Sequence, residues 1–181
     1  KIEDTSGSVT FSLDDKFIFY SKLDEHHRPR KIFRHKLGTS TKDDQLVFEE
    51  KSEAFTCGIG LSSDEKYYFI STSDHNTSEQ YYFSIDEENP KPKLIKERKR
   101  GIIYSVNSWN DKFYLHTNEG AEDFKIDICE DLKKQNWKTF IPAKDEVLIG
   151  GLVFLKNWII RSETSNALGK LIVRNPKTGE E

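Results

Sequence analysis

A polar turn followed by an aromatic-led apolar run returns four times along this chain. It reads D-D-K-F-I-F-Y-S at residues 14–21, D-E-K-Y-Y-F-I-S at 64–71, N-D-K-F-Y-L-H-T at 110–117 and, more worn, L-K-N-W-I-I-R-S at 155–162. The residue before the aromatic is Lys16, Lys66, Lys112 and Asn157, so successive copies stand 50, 46 and 45 residues apart. Periods of roughly 40–50 residues are shared by β-propeller blades and by two- or three-helix solenoid repeats. What fills the period decides between them.

Each period divides into strand-like runs separated by turn chemistry. The first unit gives 8–12, 17–22, 31–37 and 45–49; the second 56–62, 67–73, 80–86 and 93–96. The third gives 103–109, 113–118, 124–129 and 137–140; the fourth gives 147–155, 158–162 and 170–174. No segment holds a helical period over about 11 residues, and 131–135 is expected to form one turn. All five prolines (Pro29, Pro90, Pro92, Pro142 and Pro176) fall between the expected strands, as a residue without an amide donor should. Four such strands per period predict an all-β fold: a partial β-propeller of about four blades, the last incomplete, over 1–181. The expected units are 8–50, 55–96, 102–141 and 147–178. In a stacked blade the second strand is covered on both faces, so strict alternation gives way to continuous apolar character. Phe17 and Phe19 then point one way, Ile18 and Tyr20 the other. A β-sandwich is the alternative, and its strands alternate more cleanly. Gly58, Gly60, Gly150 and Gly151 lie inside first strands, where crowding around a propeller axis would favour small residues.

With 12% aromatic and 33% charged residues, the chain has the composition of a folded domain rather than a disordered one. A net charge of -3 carries no nucleic-acid signal. No apolar run approaches the roughly 20 residues of a membrane span, and none near the start resembles a signal peptide. Cys57 and Cys129 fit no zinc or redox spacing and are expected to be free thiols in a reducing, cytoplasmic setting. There is no methionine and the chain begins at Lys1, so a piece of a longer protein is expected.

Within this frame an ordered series of short stretches resembles one family. R-H-K-L-G-T (34–39), L-V-F-E-E-K (46–51) and Phe55 come first, then T-S-E (77–79), Y-S-V (104–106) and K-F-Y-L-H-T-N (112–118). Phe124-Lys125, W-K-T-F-I-P (137–142) and W-I-I (158–160) complete it. Together they resemble the propeller of the oligopeptidase B (protease II) group within the prolyl oligopeptidase family of serine peptidases. That resemblance implies a seven-bladed propeller, about four blades of it here, capping an α/β-hydrolase catalytic domain. It also implies an enzyme that cleaves short peptides after Arg or Lys, with the propeller restricting access. The chain departs from the family pattern at Ile103 and Ser108, at Glu163-Thr164 and at Ala167-Leu168.

The chemistry of that reaction is not expected within this chain. No G-x-S-x-G nucleophile elbow occurs, and G-I-G-L-S at 58–62 lacks the central serine. No catalytic residue, cofactor or metal is therefore assigned. His26-His27 beside Asp24 and Glu25 reads as a solvated loop tip rather than a metal site. The basic run 91–100 resembles a localisation or nucleic-acid patch, but lysines on an outer strand equally guard an exposed edge. Arg34-His35 reads as a structural pair on a blade face. Phe55, Thr56, Tyr104 and Asn107, at or near the ends of inner strands, are the candidates for facing a pore or substrate. Phe55 and Tyr104, like Trp109, also suit blade packing. The expected partners are the catalytic domain, short basic peptides and, through the uncovered ends of the array, a second copy; no nucleic acid or membrane is expected. A free-standing propeller scaffold for protein–protein interaction is the rival reading, although the W-D dipeptide is absent and Gly-Gly occurs once.

Overall fold

A computed structural model describes residues 1–181. The chain forms two compact units, Lys1–Gly101 and Ile102–Glu181, each built from two antiparallel meander sheets. In the first unit, β1 (Thr5–Phe11), β2 (Phe17–Leu23), β3 (Pro29–Lys36) and β4 (Gln45–Glu49) make one sheet. The next sheet is β5 (Thr56–Leu61), β6 (Tyr67–Ser73), β7 (Ser78–Ser84) and β8 (Lys93–Lys96). The second unit holds β9 (Tyr104–Trp109), β10 (Lys112–Thr117), β11 (Lys125–Cys129) and β12 (Lys138–Ile141). It also holds a three-stranded sheet of β13 (Leu148–Leu155), β14 (Trp158–Ser165) and β15 (Leu168–Arg174). A 3-10 turn at Thr41–Asp43, capped by the Ser40 side chain, is the helical element. No helix is long and apolar enough to cross a membrane. The fold is all-β, a partial β-propeller with an incomplete last blade.

The first unit is held by a core between its two sheets: Phe19 and Ile32 from one, Cys57, Tyr68, Ile70 and Phe83 from the other. The Phe19 ring lies 4.7 Å from Tyr68 and 5.8 Å from Phe83. Burying each such side chain contributes roughly 1.5–3 kcal/mol. In the second unit Trp109, Tyr114, Ile126 and Ile141 pack on Ile149 and Ile159, and the Phe154 ring lies 4.8 Å from Tyr114 and 5.5 Å from Trp109. Central residues of β6 and β10 are buried on both faces, which explains their near-continuous apolar sequence. Trp158 departs from this: at the start of β14 it is 44% exposed.

The hairpins that precede the second strands are of two kinds. In the first unit, Ser12 Oγ accepts from the amide of Phe17 at 2.9 Å and donates to Asp14 at 2.6 Å. Ser62 repeats this with Tyr67 at 3.0 Å and Asp64 at 2.8 Å. In the second unit, Trp109 pairs directly with Lys112 and Leu155 with Trp158. Asn110 and Asp111, both at positive φ, make the first of these tight turns. The hairpins therefore align Lys112, not Phe113, with Phe17, Tyr67 and Trp158. The core confirms the shift, since Phe19 and Tyr114 are the residues that face the neighbouring sheet of their unit. Matching the motif by its aromatic misplaces the third copy by one residue.

Several other expectations are corrected. Pro29 is the first residue of β3 rather than a loop residue; a strand's first position tolerates a missing donor. β14 and β15 run on to a two-residue turn at Asn166-Ala167, both at positive φ, in a stretch read as a longer loop. Crowding explains one of the four strand glycines. A Cβ on Gly150 would stand 2.1 Å from Ser162 Oγ, within its own sheet, whereas nothing lies within 4 Å of the corresponding point at Gly58, Gly60 or Gly151.

Candidate functional site

Phe55 and Thr56 sit where the chain enters β5, and a network of charges fixes that place. The loop from Glu50 to Phe55 is closed by the Ser52 amide donating to Glu50 Oε1 at 2.8 Å and the Phe55 amide donating to Ser52 O at 3.2 Å. Arg98, just past β8, lays its guanidinium 4.0 Å from the centre of the Phe55 ring. It donates to Glu50 Oε2 at 2.7 Å and to Glu79 Oε2 at 2.7 Å, and its backbone amide reaches Glu79 Oε1 at 2.9 Å. The two carboxylates are only 4% and 6% exposed. Burial works against the Arg98 charge, but its bonds to Glu79 and Glu50 overcome this and hold the guanidinium charged. Burial likewise works against Glu79, yet Arg98 holds its carboxyl below the ordinary value of 4.5. The hydroxyl of Tyr81, half-buried and donating to Glu79 at 2.8 Å, is pushed up to about 12 by desolvation and by that carboxylate.

The structure therefore buries Phe55 as a supporting ring and leaves Thr56 half-buried at the mouth of β5. In the second unit Tyr104 is likewise buried, at the start of β9, and Asn107 is half-buried further along it. Sequence reasoning missed Arg98. It lay inside the basic run 91–100, read as an exposed edge, and its two carboxylate partners are distant in sequence.

Arg34 and His35 have structural partners, and both cysteines are buried. Arg34 and His35 occupy opposite faces of β3 rather than one. Arg34 lies 4.5 Å over the Phe17 ring and donates to Gln45 at 2.8 Å. His35 Nδ1 lies 2.6 Å from Asp44, whose other oxygen accepts from the Tyr20 hydroxyl at 2.8 Å. That set ties the 3-10 loop to the sheet and offers no nucleophile. Burial pushes the Cys57 thiol up to about 12 and the Cys129 thiol up to about 11, which leaves both unreactive near neutrality.

The first strand of each unit's second sheet shares one device. Thr10 and Ser21 donate to the carbonyls of Ile59 and Cys57 on β5, at 3.0 and 3.4 Å. In the second unit His116 Nε2 donates to the Ile149 carbonyl on β13 at 2.7 Å. These bonds satisfy carbonyls that no further strand covers.

The whole chain, residues 1–181, matches the model of the prolyl oligopeptidase N-terminal beta-propeller domain. Protease 2 of Moraxella lacunata is 34% identical over 157 residues, covering 80% of this chain and 23% of that protein. Dipeptidyl aminopeptidase BI of Pseudoxanthomonas mexicana is 27% identical over 176 residues, covering 95% of this chain and 24% of its own length. Among solved structures, oligopeptidase B from Trypanosoma brucei, with covalently bound antipain in a closed form, superposes with a TM-score of 0.91. The identity is 22%, over 97% of this chain and 25% of that one. The chain thus spans about a quarter of the length of the relatives it matches. A meander of four-stranded sheets, a charge-pinned inner strand and a family match from end to end lead to one conclusion: this chain belongs to the N-terminal β-propeller domain family of the prolyl oligopeptidases.

Proposed function

We propose that the chain is a segment of the substrate-gating propeller of an oligopeptidase B-like serine peptidase, cytoplasmic and acting on short peptides after Arg or Lys. The observation that carries this reading is the 34% identity to protease 2 over 157 residues, against 27% for the dipeptidyl aminopeptidase, 23% for prolyl oligopeptidase A of Amanita bisporigera and 24–28% for the prolyl endopeptidase-like proteins. In this reading an α/β-hydrolase domain supplies nucleophile, base and acid, and the propeller limits which peptides reach them. Thr56 and Asn107 face the peptide path, while Phe55 and Tyr104 support them from within the sheets.

Extending the reading frame past Glu181 tests the proposal. A downstream hydrolase domain with a nucleophile elbow, and hydrolysis by the longer protein of Arg- and Lys-containing dipeptide substrates, are expected. The 181-residue chain itself is expected to hydrolyse neither. A longer frame without that domain, or cleavage only after proline, would overturn the reading.

The isolated chain is also proposed to pair with a second copy. Val153, Leu155, Leu171 and Val173 are exposed on one face of the β13–β15 sheet, and β15 leaves an open edge. Light scattering that finds a monomer at all micromolar concentrations would refute this.

A further inference from the structure

The segment after β15 turns back on the sheet it leaves. The Asn175 side chain accepts from the amides of Lys177 at 2.9 Å and Thr178 at 3.4 Å, and the Asn175 carbonyl accepts from Gly179 at 2.8 Å. The Asn175 amide donates to Glu180 O at 2.8 Å, which closes the loop. Gly179, at φ 76, passes close to Arg174: a Cβ there would stand 3.3 Å from its Nη2. Glu181 is thereby delivered to Arg161, whose Nη1 and Nη2 donate to its Oε1 and Oε2 at 2.6 and 2.8 Å. Arg174 Nη1 adds a bond of 2.7 Å to Oε1.

The receiving side of this contact is built without the segment. Arg161 and Arg174 project from the same face of β14 and β15, since Arg161 pairs with Ile172 and Ile159 with Arg174. Arg161 is 2% exposed; Glu163 fixes its Nε at 2.8 Å, and Lys144 holds Glu163 at 2.7 Å. Arg174 lies 5.0 Å over the Phe140 ring. Both arginines therefore have partners within the sheets, and the two terminal nitrogens of Arg161 stand side by side for one planar acceptor. The segment is held less firmly. Lys177, Thr178, Glu180 and Glu181 are exposed, and no side chain of 175–181 belongs to the apolar core of the second unit.

The place suits an anion. Its ion-paired groups are three cations, Arg161, Arg174 and Lys144, against two carboxylates, Glu163 and Glu181. Arg174 Nε is buried with no hydrogen-bond partner, a rare state for a donor. Bonds to Arg161 hold the Glu181 carboxyl down to about 2, so its occupant is itself an anion near neutrality.

We propose that Arg161 and Arg174 form a carboxylate clamp for the C-terminus of a short peptide, and that Glu181 occupies the clamp in the peptide's absence. The fork of Arg161 matches a planar, charged carboxylate with two acceptor oxygens and rejects an amide, which has one. The segment 175–181 then acts as a tethered competitor that an incoming peptide must displace. This rests on the reading of the chain as part of a peptidase that acts on short peptides.

The test uses the 181-residue chain, amide-resolved NMR and two probes: N-acetyl-trialanine with a free carboxylate, and the same peptide as its C-terminal amide. The acid peptide is expected to perturb the amides of residues 159–163 and 172–181, and the amide peptide to leave them unmoved. Glu181→Ala removes the competitor and should bind the acid peptide about tenfold more tightly. Glu181→Gln leaves a neutral acceptor in place and should fall between the two. Arg161→Lys keeps the charge without the fork and should lose the preference for the acid. Where that variant does not fold, Arg174→Gln, at the more exposed arginine, should weaken the acid peptide. Equal binding of acid and amide, an acid affinity that neither Glu181 variant raises, or an undiminished preference in the folded arginine variant would each overturn the clamp. None of these outcomes touches the family reading, which depends instead on the downstream domain and its hydrolysis.

Discussion

In the first unit, hydroxyls of Thr10 and Ser21 hold the carbonyls of β5; in the second, the His116 imidazole holds β13. Each unit also encloses an arginine among carboxylates. Arg98 bridges Glu50 and Glu79, while Arg161, 2% exposed, bonds Glu163 and Glu181, and Lys144 reaches Glu163 at 2.7 Å. The fold fixes the need, a bond for an uncovered carbonyl and a counter-charge for a buried ion, but not the chemical group that meets it. The two units should therefore respond differently to the same insult. All three tryptophans, Trp109, Trp137 and Trp158, lie in the second unit, so tryptophan fluorescence follows it alone.

Removing the arginines should separate the units most. Arg98→Ala strands two buried carboxylates without their shared cation, and a loss of about 3–5 kcal/mol is expected. Arg161→Ala removes the more deeply buried guanidinium, yet Lys144 still pairs with Glu163, so about 1–3 kcal/mol is expected. Urea unfolding followed by circular dichroism and tryptophan fluorescence measures both. A larger loss from Arg161→Ala would show that depth, not the charge left behind, sets the cost.

A smaller contrast comes from acid. Burial lowers the His116 pKa from its ordinary 6.5, with the bond to Ile149 opposing in part. The folded protein then takes up the His116 proton at a lower pH than the unfolded chain. The contribution of this site is complete above about 6.5 and declines as pH falls below it. The Thr10 and Ser21 hydroxyls have no charge to gain. The urea midpoint read by tryptophan fluorescence should fall between pH 7 and 5, and in His116→Gln that part of the decline should vanish. An unchanged profile in the variant would remove His116 as its source.

The least effect is a gain. Ala167 sits at φ 60 in the β14–β15 turn, a conformation that glycine adopts without steric cost. Ala167→Gly should stabilise the second unit by about 0.5–1 kcal/mol, seen as a raised melting temperature. A lowered one would mean that the Ala167 methyl makes a contact worth more than the strain.

Much of the fold was legible because the signals were local. Aromatic runs between polar turns marked β2, β6, β10 and β14, and the period fixed how often they recur. The errors arose where distant residues decide. Asn166-Ala167 lacks the glycine that announces a tight turn, so β14 looked three residues too short. Arg98 looked like its lysine neighbours until the backbone brought it to Glu79. The candidate site was half-visible. Thr56 stood out, but the charges that fix the loop before it did not, and Ser6 was read as lying before the first strand. An S-G-S stretch gives no hint that β1 bulges there.

The one-residue offset of the third repeat bears on how such repeats change over time. A strand with one wet face cannot move its apolar pattern by a single position, because every side chain would turn to the wrong side. β10 escapes this rule. Phe113, Tyr114 and Leu115 are all buried, so either phase of the pattern finds a dry surface. Interior strands of a propeller are accordingly free to drift in phase while keeping their composition. Exchanging residues between repeats by motif alone would, at β10, hand each side chain to the opposite neighbour.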